Sequence, residues 1–205
     1  MVNPDEMYVS AILKRIWQFL RKPSAHYSLL ALVSVGFVAG IIFWGGFNTA
    51  LEATNRLEFC IGCHEMRDNV YQEYKKTIHY QNPVGVRAIC SDCHVPHAWV
   101  PKMWRKMQAS MEIWAKITGK IDTCEKFVDH RLEMAKHEWA RMEANKSQEC
   151  RNCHSFAAMT TSTQTPDAAA HHLQAMKTNE ACIDCHKGIA HMLPKGYVDP
   201  AQSED

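Results

Sequence analysis

Eight of the nine cysteines in this 205-residue chain form four pairs with two residues between the partners, and a histidine directly follows each pair. In a Cys-x-x-Cys-His motif, the two thiols can form thioethers with a porphyrin while the adjacent imidazole binds its iron. Four copies therefore predict four covalently bound haem c groups. The predicted attachment residues are Cys60, Cys63, Cys90, Cys93, Cys150, Cys153, Cys182 and Cys185, and the predicted proximal ligands are His64, His94, His154 and His186.

Structural zinc is the main alternative, because four Cys-x-x-Cys pairs could form two tetrahedral all-thiolate sites. A zinc ribbon gives no reason for a histidine after every second cysteine, and only 12 of the 205 residues are histidine. A disulfide framework explains the repeated histidines no better. The motifs therefore favour haem, and four redox centres on so short a chain predict an electron carrier.

A haem that transfers electrons with little rearrangement is six-coordinate, so each iron needs a second axial ligand opposite its motif histidine. The motifs begin at residues 60, 90, 150 and 182, and two short intervals around a long one suggest a duplicated two-haem unit. The remaining histidines repeat between the halves, one between the motifs and one soon after the second motif. The predicted distal ligands are His79, His97, His172 (or its neighbour His171) and His191.

The spacing leaves the role of several other sulfur and imidazole groups open. Met66 lies two residues after His64, where its thioether could compete for the first iron or simply pack. Cys124 is the odd cysteine, and we expect a small buried apolar side chain, with a free thiol or an intermolecular disulfide as alternatives. His130 and His137 share a face of a predicted helix, where a solvated or hydrogen-bonded role is favoured over iron ligation.

An uncharged stretch near the N-terminus predicts a membrane anchor. Residues 23–51 contain no Asp, Glu, Lys or Arg, and the apolar run is long enough to cross about 30 Å of hydrocarbon as a helix. A cleaved signal peptide, the alternative, would have an apolar region of only ~7–15 residues. Four basic residues precede the stretch, so the positive-inside rule predicts a cytoplasmic N-terminus and an exported remainder. Haem attachment of this type implies the same sidedness.

About 154 residues follow the anchor, which is little polypeptide for a conventional core around four macrocycles. The predicted fold is mostly α: a single N-terminal transmembrane helix and a small multihaem domain of short helices and loops wrapped around four c-type haems. Helices are predicted over 99–117 and 123–146, the second starting at a capping-box-like Asp122 with Glu125. The balanced net charge of +1, without a basic tract, gives no indication of nucleic-acid binding.

The expected organisation has four parts. They are a cytoplasmic segment 1–24, a transmembrane helix 25–50, a periplasmic tetrahaem domain 51–194 and a flexible tail 195–205. Within the periplasmic domain, dihaem units at about 57–98 and 147–192 are joined by helices at about 99–146.

Five stretches extend the motifs: FCIGCHEMRDNVYQEY (59–74), CSDCHVPH (90–97), KHEWARM (136–142), ECRNCHSF (149–156) and CIDCHKGIAH (182–191). With the anchor, they resemble the NapC/NirT family of membrane-anchored tetrahaem quinol dehydrogenases, from the anchor to Pro194. The resemblance implies a single-pass protein of the bacterial inner membrane with its haem domain in the periplasm. It implies that the protein oxidises menaquinol or ubiquinol and feeds a periplasmic reductase in anaerobic respiration.

The resemblance also implies an acceptor. Nitrate reductase is the acceptor in NapC-like members, and nitrite reductase or several terminal enzymes are the acceptors in close relatives. Two further alternatives are a terminal reductase, which needs an open iron position, and a relay without quinol contact.

Site residues follow from the same resemblance. It implies bis-histidine haems with His79, His97, His172 and His191 in the distal positions, although in NrfH-like relatives a methionine at the place of Met66 ligates the first haem. His97 favours the NapC type. A lysine and an acidic residue after the second motif form the family's quinol site, which lies near the first haem. The corresponding residues are Lys102, Lys106 and Glu112, with lysines that merely face lipid headgroups as the alternative.

Mass spectrometry of the intact protein is expected to give the polypeptide plus four haem groups, because thioether bonds survive denaturation. Replacing Cys182 and Cys185 together by Ala is expected to remove one haem from that mass. A mass equal to the amino acids alone, or metal analysis that returns zinc in place of iron, would contradict the haem prediction.

Overall fold

The computed structural model describes residues 11–15, 17, 18 and 26–198, and all regular secondary structure in these residues is helical. The prediction of a mostly α fold is confirmed for this part of the chain. The predicted cytoplasmic segment 1–24 lies largely outside the described residues, and so does the predicted tail from residue 199 onward. Between residues 26 and 198 the α-helices are α1 (Leu29–Ala53), α2 (Leu57–Cys60), α3 (Tyr71–Tyr74), α4 (Cys90–His94), α5 (Trp99–Ile117), α6 (Cys124–Ala144), α7 (Gln148–Arg151), α8 (Pro166–Thr178) and α9 (Cys182–Cys185).

Helix α1 is the predicted apolar span. Its 25 residues bury no side chain, and at 1.5 Å per residue it is about 37 Å long. The Oγ of Ser28 accepts a hydrogen bond from the backbone N–H of Ala31 at 3.2 Å, which caps the helix start. Among the described residues it is the one helix long and apolar enough to cross a membrane. Contacts within the chain divide it into two units between Leu51 and Glu52.

Short helices carry the attachment cysteines. In the second and fourth motifs the residue before the second cysteine is aspartate, and its carboxylate accepts a backbone N–H just before the motif. Asp92 accepts from Ile89 at 2.8 Å, and Asp184 accepts from Ala181 at 3.2 Å. The first and third motifs have Gly62 and Asn152 at that place. The second and fourth motifs therefore share the same aspartate-to-backbone hydrogen bond, as expected if a two-motif unit was duplicated.

The two longest helices of the second unit lie between the second and third motifs. Helix α5 has the predicted bounds. Helix α6 begins one residue later than expected, because Thr123 rather than Asp122 caps it: the Thr123 Oγ1 accepts from the N–H of Lys126 at 3.3 Å. The carboxylate of Asp122 instead pairs with the ammonium of Lys126 at 2.7 Å. The predicted capping role of Asp122 with Glu125 was therefore wrong.

The turn after α6 brings the third motif against the fourth. Lys146 and Ser147 have φ angles of +57° and +52°, a left-handed conformation that costs roughly 1–2 kcal/mol for each non-glycine residue. Ser147 is fully buried. Its N–H donates to the carbonyl of Met142 at 2.6 Å, and its Oγ accepts from the N–H of Ile183 at 3.1 Å. These two bonds fix the strained turn.

Few apolar side chains are buried in the described residues. They are Tyr74, Phe127, Met142, Ala181 and Ile183. The last three form one cluster, against which Cys93 and Trp139 pack. The sequence analysis expected little apolar packing between side chains, because so short a domain would share its core with large apolar cofactors. The small apolar cluster agrees with that expectation.

Candidate functional site

Three motif histidines each face a histidine from elsewhere in the chain. The pairs and their ring-centroid separations are His79 with His154 (6.1 Å), His94 with His191 (6.3 Å) and His172 with His186 (6.0 Å). Two imidazoles on opposite sides of one metal ion have centres about 6 Å apart, because a metal–imidazole bond is about 2 Å long. All nine cysteines are also free of disulfides. Both observations fit covalently attached haem held between two imidazoles.

Two of the three pairs join one half of the chain to the other. His79 lies between the first two motifs but faces the third motif, and His191 follows the fourth motif but faces the second. Within the second half, the ring of His172 is the one that faces His186, whereas its neighbour His171 is exposed. The duplication suggested these histidines but could not indicate which motif each one meets.

The four motifs lie next to each other in chain order. The thiols of Cys60 and Cys90 are close enough to affect each other's pKa, and so are those of Cys150 and Cys182. The second motif is joined to the third through Arg141, which donates to the carbonyl of Cys93 at 3.0 Å and to Glu149, directly before Cys150, at 2.8 Å. The structure therefore gives an unbroken series from the first motif to the fourth.

The first motif differs from the other three. The ring of His64 does not face a candidate histidine, and among the described residues the exposed His97 makes no ring contact with a motif histidine. Instead the Nε2 of His64 lies 3.0 Å from the carboxylate of Glu65, whose other oxygen accepts from the ammonium of Lys116 at 2.5 Å. Burial acts to raise the pKa of Glu65, but the Lys116 hydrogen bond holds it below its usual value. Met66 follows at the start of a π-helical turn that ends at Val70.

Cys124 lies close to this motif. It is half-buried rather than buried, and its thiol lies within 4.8 Å of ligand atoms of His64 and Asp68. We expected a small buried apolar side chain, whereas Cys124 keeps partial exposure and has polar groups for neighbours.

A carboxylate on α6 holds the histidine of the second motif. The Nδ1 of His94 lies 2.8 Å from the carboxylate of Glu138, which also accepts from Arg141 at 2.7 Å. Arg141 donates further to Glu149 at 2.8 Å and to the carbonyl of Cys93 at 3.0 Å. Burial would raise the pKa of Glu138, yet hydrogen bonds from His94 and Arg141 keep it far below its usual value. The sequence analysis did not single out Glu138 or Arg141. They lie three residues apart in the KHEWARM stretch, which is the spacing of neighbours on one face of a helix.

An ion pair fixes the segment that carries His191. The guanidinium of Arg131 binds the carboxylate of Glu73, with one contact at 2.7 Å. Arg131 also donates to the carbonyl of Met192 at 2.7 Å, and the N–H of Met192 donates to Glu73 at 2.9 Å. Burial, with the nearby His94, lowers the pKa of His191 to about 4. The imidazole is therefore neutral near pH 7, the form that binds a metal.

Tyr74 has a similar role for His79. Its buried hydroxyl donates to the carbonyl of Ala88, and the carbonyl of His79 lies 3.3 Å away. Burial raises the pKa of Tyr74 to about 12, so the phenol keeps its proton. The segment before the second motif and the segment that carries His79 are thereby joined.

The candidate quinol residues lie on α5. The ammonium of Lys102 lies 3.1 Å from the carboxylate of Glu52, and that of Lys106 lies 2.6 Å from the hydroxyl of Thr54. Burial lowers the pKa of Lys106. The nearby Cys60 acts in the opposite direction and offsets part of this effect. Glu112 instead pairs with Arg105 at 3.0 Å. The carboxylate that the structure brings to the lysines is thus that of Glu52, which the sequence reasoning did not single out.

Comparisons with known proteins identify the family of the chain. The model of the NapC/NirT cytochrome c family, N-terminal region, matches residues 22–196. The chain is 59% identical over 184 residues to the denitrification system component NirT of Stutzerimonas stutzeri, covering 90% of this chain and 92% of that protein. It is 58% identical over 183 residues to the cytochrome c-type protein NapC of Escherichia coli K12, covering 89% and 91%.

A third relative is longer than this chain. The cytochrome c-type protein TorC of E. coli K12 is 47% identical over 183 residues, which are 89% of this chain and 47% of TorC. No solved structure matches the chain.

Replacing Arg131 by Met is expected to speed amide hydrogen exchange in residues 188–194, because the carbonyl and N–H of Met192 lose their shared clamp. Exchange measured by mass spectrometry checks this. Lys126→Met, which breaks an exposed ion pair on the same helix, is the matched control and should leave that segment unchanged. Equal exchange in both variants would contradict the clamp.

Proposed function

Because this chain belongs to the NapC/NirT cytochrome c family, we propose that it is a membrane-anchored tetrahaem cytochrome that oxidises membrane quinol and passes the electrons to a periplasmic reductase. Family membership makes it an electron-transfer protein of anaerobic respiration with covalently bound haem c. The observation that carries the proposal is the unbroken series of four motifs, which begins seven residues after the end of the apolar helix α1.

The histidine pairs support the iron ligands. Each pair would hold one iron from both sides, and bound haem supplies a one-electron carrier at each motif. The proposed pairs of ligands are His94 and His191, His154 and His79, and His186 and His172. The candidate ligands for the first haem are His64, whose Nε2 lies 3.0 Å from a carboxylate oxygen of Glu65, and Met66. His97 is the candidate for the opposite side of that iron. Three irons held in this way would have no open position, which argues against a terminal reductase.

The quinol site is proposed where α5 meets residues 52–54. Oxidation of a quinol releases two protons and two electrons, so groups that accept protons must lie beside the quinol hydroxyls. Glu52 supplies a carboxylate that can accept a proton, and the ammonium of Lys102 lies 3.1 Å from it. Burial lowers the pKa of the neighbouring Lys106. Lys106 is also close enough to Cys60 to influence that thiol. The proposed quinol residues and the first attachment site are therefore neighbours.

An apolar face of α5 supports contact with the lipid bilayer. Five side chains on this face are exposed, among them Val100 at 70%, Trp104 at 61% and Met111 at 65%; Met107 and Trp114 complete it. At 100° per residue they lie opposite the face that carries Lys102 and Lys106. An amphipathic helix with tryptophans on its apolar side is typical of one that lies in a membrane interface.

The proposed acceptor is periplasmic nitrate reductase, as the resemblance to NapC implies. The identity to NirT is nearly equal. A periplasmic nitrite reductase, or several acceptors served by one donor, is therefore the second candidate. The orientation with the haem domain in the periplasm rests on the basic residues before α1.

His172→Met is expected to change the low-spin spectrum of one haem of the four, because a thioether replaces an imidazole on its iron. Electron paramagnetic resonance of the purified protein checks this. His171→Met, one residue away and exposed, should give the spectrum of the unaltered protein. The proposed ligand would be wrong if the two variants were alike.

Lys106→Met is expected to slow reduction of the haems by menaquinol or ubiquinol in proteoliposomes by roughly 10²-fold, the size of a general acid–base contribution. Rapid mixing monitored by haem absorbance measures the rate. Lys120→Met, beyond the end of α5, serves as the control, and chemical reduction by dithionite should be equal in both. An unchanged quinol rate in Lys106→Met would favour a relay without quinol contact, and haems that quinol cannot reduce even in the unaltered protein would overturn the proposed function.

A further inference from the structure

Among the imidazoles of the three histidine pairs, His94 has an ionised partner. Its Nδ1 lies 2.8 Å from Oε1 of Glu138, and the Glu138 side chain is 18% exposed. The same carboxylate accepts two or more hydrogen bonds from the guanidinium of Arg141. These charge-assisted bonds keep the carboxyl group ionised.

The bond direction follows from the donor inventory. An ionised carboxylate can only accept, so the proton between the two groups belongs to Nδ1 of His94. The lone pair of the neutral ring is then on Nε2, the nitrogen left for iron. Glu138 therefore selects the tautomer that the second motif requires.

His172 provides an internal comparison. Its Nδ1 lies 2.7 Å from Oε1 of Gln164, a neutral amide oxygen. The two imidazoles thus make bonds of nearly equal length through the same ring nitrogen, but one acceptor is charged and the other is not.

We propose that Glu138 is a positioning residue that lowers the reduction potential of the haem at Cys90 and Cys93. A carboxylate that accepts the Nδ1 proton makes the imidazole a more basic ligand, and a more basic ligand stabilises ferric over ferrous iron. Arg141 holds the carboxylate in place through its bonds to Glu149 and to the carbonyl of Cys93. The second haem of the series is then harder to reduce than a histidine pair alone would make it.

This inference rests on the proposed function, since it requires haem at the second motif. Its consequence for that function is a low-potential step directly after the haem nearest the quinol. Electrons would cross this step to reach the third and fourth haems, so back-transfer to the first haem would have to cross it as well.

The test is a spectroelectrochemical titration of the full chain carrying four haems, with the haem count measured first. Glu138→Gln keeps an acceptor for the Nδ1 proton but removes its charge, and we expect one of the four midpoint potentials to rise while three stay in place. Glu133→Gln, an exposed carboxylate on the same helix, is the matched control and should move none. A purely structural role for Glu138 would change stability without moving a potential.

Gln164→Glu is the converse variant and is expected to lower the potential of a different haem, the one at Cys182 and Cys185. Four unchanged midpoints in a fully loaded Glu138→Gln protein would overturn the proposal. If the Glu138→Gln protein fails to incorporate haem, the Gln164→Glu variant is the deciding test. The proposal is then overturned if no midpoint potential of Gln164→Glu falls. A haem count below four in the unaltered protein would instead contradict the proposed tetrahaem function.

Discussion

The guanidinium of Arg141 holds the middle of the domain together. It reaches the carbonyl of Cys93 in the second motif, Glu138 on α6, and Glu149 directly before the third motif. Glu149 has a side chain only 1% exposed, and removing one partner of a buried ion pair costs about 3–5 kcal/mol. Without this cation two carboxylates would be left in a poorly hydrated place, and the second and third motifs would lose their common attachment to α6.

Polar contacts of this kind replace much of the apolar packing that a domain of this size would normally have. Glu73 and Arg131 hold the segment around Met192, and the hydroxyl of Tyr74 joins the carbonyls of His79 and Ala88. Each of these contacts is directional, so each fixes an orientation as well as a distance. For an electron carrier this is useful, because the position of a redox centre depends on where its ligands point.

The sequence predicted the helices and the chemical groups better than it predicted the contacts between them. Cys-x-x-Cys-His states which residues are expected to attach haem, and the helix predicted over 99–117 has the bounds of α5. The pairing of His79 with His154 could not be predicted, because local spacing carries no information on which distant segment a loop meets. Glu138 lies in the KHEWARM stretch (136–142), but only the fold brings it to His94. The cap at Thr123 was missed for a simpler reason, since Asp122 and Thr123 are both good capping residues and backbone geometry chooses between them.

The contact of His191 with His94 has a consequence for how the protein is made. If the chain is exported as proposed, it crosses the membrane from its N-terminal side, and the second attachment site emerges before the segment that carries His191. In that interval a nascent chain already loaded at the second site would present one bare side of its metal to small molecules. The second site of such a chain would then be complete only when the segment around His191 has folded back onto it.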